Sequence, residues 1–225
     1  MKFFFKISKG DTMNKIIELK DNKEAIEGFR KLQEGNLRFV KNWIHRDNLS
    51  VHEKRDSLTG GQKPFAIILS CSDSRVPSEI VFDQTLGDLF VIRVAGNIVA
   101  PSLVGSVEFA AVTFGVPLVV VMGHSRCGAV IATYDSILSK SPAASENIHD
   151  IVDRISPSVH QVMDLHPNGM EKAELIEKCI GANVRNSVQH LRHGSRILED
   201  LYMNNKIKII GANYSLDSGE VYFFE

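Results

Sequence analysis

The chain has 225 residues, 44% hydrophobic and 24% charged, and its 26 Lys plus Arg against 27 Asp plus Glu give a net charge of −1. That length buries a substantial core, in one large domain or two small ones, and one is expected. The charge balance carries neither the basic footprint of a nucleic-acid binder nor an acidic tail, and apolar runs of about eight residues fall short of the roughly 20 needed for a transmembrane helix.

The N-terminus, Met1-Lys2-Phe3-Phe4-Phe5-Lys6, has an apolar run shorter than a secretory h-region of about 7–15 residues and no small-residue cleavage site after it. Residues 1–23 are expected to be a weakly ordered extension, with Met13 an alternative start, and the location is expected to be cytoplasmic. Cys71, Cys127 and Cys179 are too few, odd in number and too dispersed for a disulfide framework, so a reducing compartment and a metal or catalytic role for some of them fit better.

Over 24–44 the apolar positions Ile26, Phe29, Leu32, Leu37, Val40 and Trp43 recur at helical spacing, with Gly35-Asn36 as an interruption. This predicts an arm of two short amphipathic helices, packed either on a partner subunit or on the chain's own core. Residues 45–63 are polar and end in Gly60-Gly61-Gln62-Lys63-Pro64, a loop signal. Phe65 to Ser70 is then almost continuously apolar, as expected of a strand covered on both faces. Leu89 to Ala95 and Pro117 to Met122 repeat that character.

Between those two strands Val104, Val107, Ala110, Ala111 and Phe114 keep helical spacing, and Gly115 stands where a C-terminal cap belongs. Strand, helix, strand is a parallel crossover unit. Ala129 to Leu138 reads as a helix, and Ser145 caps another running toward His166 with Pro157 as a kink or break. One long amphipathic helix is predicted over 171–202. Lys206 to Ala212 and Glu220 to Phe224 read as a hairpin around Leu216-Asp217-Ser218-Gly219. The fold class is therefore α/β, with a mostly parallel central sheet, an antiparallel last strand, flanking helices and an N-terminal helical arm, forming one domain over 24–225.

In such sheets ligands collect at the carboxyl ends of strands. Cys71 follows the first strand and His124 the third, with Cys127 three residues later. Two thiolates and an imidazole suit tetrahedral zinc with one position left for water or substrate, and disfavour magnesium or calcium. Cys127 also precedes a helix, whose N-terminal amides favour a thiolate. Asp73 and Arg75 are close enough to pair. Asp73 could close the fourth metal position or turn to Arg75 and leave it open. Cys179 lies on the apolar side of its helix and reads as core, and His149, His160, His166, His190 and His193 receive no role.

Cys71-Ser72-Asp73-Ser74-Arg75 with His124-x-x-Cys127-Gly128 resembles the signature of the β-class carbonic anhydrases. The similarity extends through Gly61-Gln62-Lys63-Pro64, Gly87 to Arg93, Ala95-Gly96-Asn97 and Gly105 to Ala110. The resemblance implies reversible hydration of carbon dioxide to bicarbonate and a proton, with one zinc per chain on Cys71, His124 and Cys127. Hydroxide on the zinc would attack the substrate, oriented by an Asp73–Arg75 dyad. Gln62, Phe90, Ala95, Leu103 and Gly128 fall at positions that bind substrate in relatives, although plant members carry a tyrosine where Leu103 stands. A homodimer or homotetramer is implied too. Relatives that bind bicarbonate at a second site and move Asp onto zinc at low pH have a tryptophan three residues before the first cysteine. Ile68 is there instead, so Asp73 is expected on Arg75. Turnover of carbon disulfide or carbonyl sulfide, and a zinc-stabilised scaffold without turnover, are the alternative readings.

Overall fold

A computed structural model describes residues 22–43, 51–141, 143–166 and 169–225. Five strands form one sheet in the order β2-β1-β3-β4-β5. They are β1 (Ala66–Ser70), β2 (Leu89–Arg93), β3 (Leu118–His124), β4 (Lys208–Tyr214) and β5 (Val221–Phe224). The first four run parallel and β5 pairs antiparallel with β4. The predicted mixed sheet and hairpin are therefore present.

Alternation along each strand explains why the runs are apolar throughout. Ile67, Leu69, Val119 and Val121 face one layer together with Ile209, while Ala66, Ile68, Leu118, Val120 and Ile210 face the other. A side-chain period of two sends neighbours to opposite faces, and both faces are covered, so the strand centres are apolar on both sides and the polar residues Ser70, Arg93 and His124 stand at the strands' carboxyl ends.

One cover is α1 (Lys23–Val40), packed on the chain's own sheet through fully buried Ala25 and Leu32. Of the two alternatives for the arm, core packing is the one seen. It is one continuous helix, not two, and Gly35-Asn36 is a docking point within it. A Cβ on Gly35 would lie 1.7 Å from the Phe82 carbonyl oxygen. Buried Asn36 donates Nδ2 to the carbonyls of Val81 (3.1 Å) and Gly219 (2.8 Å) and accepts from Val221 N–H (2.9 Å). The polar segment after the arm also holds a short helix, α2 (Val51–Ser57), which its lack of apolar period concealed. Residues 1–21 of the expected extension, Met13 among them, fall outside the described residues, whereas Asn22 caps α1 and Lys23 is its first residue, so the ordered chain begins earlier than the expected boundary.

The helices that follow are α3 (Ser78–Val81), α4 (Pro101–Thr113), α5 (Gly128–Ser139), α6 (Glu146–Leu165), α7 (Lys172–His193) and α8 (Arg196–Met203). Ser145 caps α6 by accepting from Ile148 N–H, and Pro157 sits inside that helix without ending it. The single long helix predicted over 171–202 is two. Gly194 closes α7, and Ser195 starts α8 by accepting from Leu198 N–H while its hydroxyl donates to Glu108 at 2.5 Å. Among the described residues no helix is long and apolar enough to cross a membrane.

Candidate metal centre

β1 and β3 are hydrogen-bonded neighbours, with Ser70 opposite Met122, so both chains leave the sheet side by side at their carboxyl ends. Cys71 is the first residue past β1, His124 the last of β3, and Cys127 the residue before α5. All three are buried, and the two sulfurs and a histidine ring nitrogen lie within 4.8 Å of one another.

His124 shows which nitrogen is offered. Its Nδ1 lies 3.0 Å from the Ser125 carbonyl oxygen, which can only accept, so Nδ1 carries the proton and the Nε2 lone pair is free. Nε2 is fully buried without a hydrogen-bond partner. A buried polar atom left unpaired costs about 1–3 kcal/mol, and a cation between two sulfurs and this nitrogen removes that penalty. The residues therefore fit a soft divalent metal such as zinc.

The thiols are unequal. Cys71 is held well below the ordinary thiol value, chiefly by a hydrogen bond from Cys127, with the Gly96 amide assisting. Cys127 is pushed up by that same bond and by burial, while the amides of Ala129 and Val130 at the start of α5 pull it down. Gly96 N–H points at Cys71 Sγ at 3.4 Å. Gly96 belongs to a 3₁₀ turn, Ala95–Asn97, and has φ of 69°. A Cβ there would meet Ile155 Cδ1 at 2.7 Å, so the backbone conformation and the close packing both require glycine. From α7, Asn183 Nδ2 donates to the Gly96 carbonyl (2.8 Å) and Ser187 Oγ to that of Asn97 (3.1 Å).

Asp73 is turned to Arg75. Its Oδ1 accepts from the Arg75 N–H (2.9 Å) and Nε (2.9 Å), and its Oδ2 from Nη2 (2.8 Å). The pair lowers the Asp73 pKa strongly, with the Arg75 side-chain bond as the largest cause. A lowered carboxyl stabilises the fold fully above the unfolded value of about 3.9 and loses that contribution only as pH falls through the folded value. Asp73 therefore remains an acceptor across the neutral range. Oδ2 also lies 3.9 Å from His124 Nε2, beside the ligand cluster.

The sequence-predicted pocket residues divide. Ala95 is in the turn that touches Cys71, Gly128 is the first residue of α5, and Leu103 packs against the cluster containing Cys71, Ile98 and Cys127. Gln62 and Phe90 are not brought there by the same chain. Phe90 is paired with Ile67, four residues before Cys71, or about 13 Å at 3.3 Å per residue. Its ring packs at a tilt against Phe109 and Phe114, at centroid distances of 6.5 and 6.2 Å. Gln62 is exposed and precedes the amino end of β1.

The sequence model of the carbonic anhydrase family matches residues 66–221. The chain is 36% identical over 198 residues to carbonic anhydrase 2 of Mycobacterium tuberculosis, covering 88% of this chain and 92% of that one. It belongs to the β-class carbonic anhydrases. Among solved structures, the β-carbonic anhydrase CcaA superposes with a TM-score of 0.70 at 25% identity, covering 89% of this chain and 86% of that one. One of two tetrameric β-carbonic anhydrases of Sordaria macrospora superposes at 0.68 and 18% identity, covering 88% and 96%. The chain is thus a carbonic anhydrase enzyme, and the Cys71–His124–Cys127 cluster lies at the carboxyl end of its sheet.

Proposed function

We propose that this carbonic anhydrase interconverts carbon dioxide and bicarbonate at one zinc per chain held by Cys71, His124 and Cys127, with Asp73 and Arg75 as its polar dyad. The observation that carries the metal assignment is the buried, unpartnered His124 Nε2 beside two sulfurs. When bound, the zinc supplies Lewis acidity that brings the ionisation of a coordinated water toward neutrality.

The chain's own groups perform the rest. Ionised Asp73 can only accept, so it selects a nucleophile that presents a proton to it and turns the lone pair toward the carbon. Arg75 fixes the carboxylate through two side-chain donors and keeps it ionised. Leu103 and Ala95 supply apolar surface suited to a linear, uncharged substrate.

Gln62 and Phe90 serve this pocket through a second copy of the chain, which can bring the amino end of its β1 to the metal centre where a single chain cannot. A homodimer or homotetramer follows. Phe109 and Val112 on α4, 53% and 62% exposed, supply apolar surface for such an assembly. Three free cysteines favour a cytoplasmic, reducing location.

The test is zinc content measured with the carbon dioxide hydration rate across pH 6–9. We expect one zinc per chain. Asp73→Asn should keep the metal and lose about 10²-fold or more in rate, the usual scale for a positioned proton-transfer or hydrogen-bonding group. Hydration that survives chelation, or survives Asp73→Asn unchanged, would sink the proposal.

A further inference from the structure

Asp73 has two neighbours to choose between, Arg75 and the ligand cluster, and its carboxylate is within 3.9 Å of the latter. The Arg75 side chain is 54% exposed, and an exposed ion pair is a weak restraint. The backbone of the loop is held as well, from a third residue. Arg93 closes β2 opposite Ser70. Its Nε donates to the Cys71 carbonyl at 3.1 Å and its Nη2 to the Asp73 carbonyl at 2.6 Å. Val76 N–H donates to the same Asp73 carbonyl at 3.0 Å, and Ser72 N–H to Val94 O at 3.3 Å. Among the described residues no carboxylate pairs with Arg93. Its planar fork bridges two carbonyls in the same loop, a span that the single ammonium of lysine does not reproduce.

Resting on the metal assignment above, we infer that Arg93 is a positioning residue that locks the backbone of 71–73 so that Asp73 stays on Arg75 and the fourth metal position stays open. Arg93 bonds the Cys71 carbonyl and not its sulfur. It acts through two peptide oxygens. When it is lost, the backbone of Asp73 is freed, the carboxylate reaches the metal, and exogenous ligands compete with it.

The experiment loads the full chain with cobalt(II) and titrates thiocyanate, reading visible absorbance. Wild type should take up about one cobalt per chain and bind the anion. In Arg93→Gln, at unchanged cobalt content, the apparent affinity should fall about tenfold, as when the open state drops to about a tenth of the population. Arg93→Lys, which restores one donor, should fall between the two and also covers the case in which Arg93→Gln does not fold. Asp73→Ala in the Arg93→Gln background should regain the affinity of Asp73→Ala alone, because no carboxylate remains to close the site. Wild-type affinity in Arg93→Gln or Arg93→Lys overturns the inference, and so does a loss that Asp73→Ala fails to rescue. A wild-type chain that takes up no cobalt or zinc overturns the metal assignment and the inference with it, a result distinct from intact loading with unaltered anion binding.

Discussion

Gly35→Ala is expected to destabilise the chain by about 3 kcal/mol, although alanine is the better helix former by about 1 kcal/mol. In α1 the added methyl would lie 1.7 Å from the Phe82 carbonyl oxygen and 2.8 Å from both Phe82 C and Gln84 Nε2. Gln84 can swing away, but Phe82 is fully buried at the end of α3 and its peptide cannot. Withdrawing α1 to make room would strip Asn36 of three backbone partners and leave a buried amide unpaired, a further 1–3 kcal/mol or so. Gly105 is the control. Within a single chain nothing is within 4 Å of a Cβ there, so Gly105→Ala should stabilise the isolated chain by up to about 1 kcal/mol, a gain read below the concentration at which the α4 face proposed for assembly, which Gly105 shares with Phe109 and Val112, is covered. Urea unfolding of both variants checks the sign. Equal effects would show that propensity alone, and not the approach of α1 to α3, governs these positions.

Gly35 also marks the boundary of what the sequence makes legible. The strands are visible because a parallel sheet covered on both faces leaves an unbroken apolar signature, and Ile67 to Leu69 has no polar alternative. The Cys71–His124–Cys127 cluster is visible because strand ends in such a sheet converge by topology, so Cys71 and His124 need only be placed after the right strands. A glycine in a helical pattern is ambiguous. It marks a break or a close approach, and only the partner surface at Phe82, distant in sequence, decides. The Gly194-Ser195 boundary was readable in principle, since glycine closing one helix and serine opening the next are ordinary caps. The apolar period running through 171–202 masked it, because both helices pack on the same layer.

The site shows a similar division. Local motifs identify Cys71, Asp73, Arg75, His124 and Cys127, whose separations along the chain are short or fixed by the sheet. Asn183 has no such signal, because its contact with Gly96 spans 87 residues and rests on the docking of α7. Gln62 and Phe90 show the reverse difficulty. Likeness to relatives groups them with the pocket, yet the length of β1 separates them from it within one chain. The pocket role proposed for them therefore depends on the second copy, which strand geometry and not motif brings in.

His124→Ala is expected to separate metal binding from folding. The side chain is fully buried and its Nε2 has no partner, so in the metal-free chain it contributes packing and an unpaired acceptor whose effects oppose one another. The metal-free variant should therefore stay within about 2 kcal/mol of metal-free wild type. Zinc should raise the stability of wild type by about 4 kcal/mol at a thousandfold excess over its dissociation constant. The variant should show almost none of that gain, hold less than about a tenth of a zinc per chain, and lose carbon dioxide hydration to the same extent. Cys179→Ala provides the contrast. Cys179 is also a fully buried cysteine, and burial alone raises its pKa to about 11. It lies outside the ligand cluster, so its removal should cost packing and leave the zinc-dependent gain intact. Thermal melts of the three proteins with and without zinc measure the stability changes, and zinc content and hydration rate on the same samples measure the rest. A zinc-dependent gain that persists in His124→Ala, or is lost in Cys179→Ala, would place the metal elsewhere.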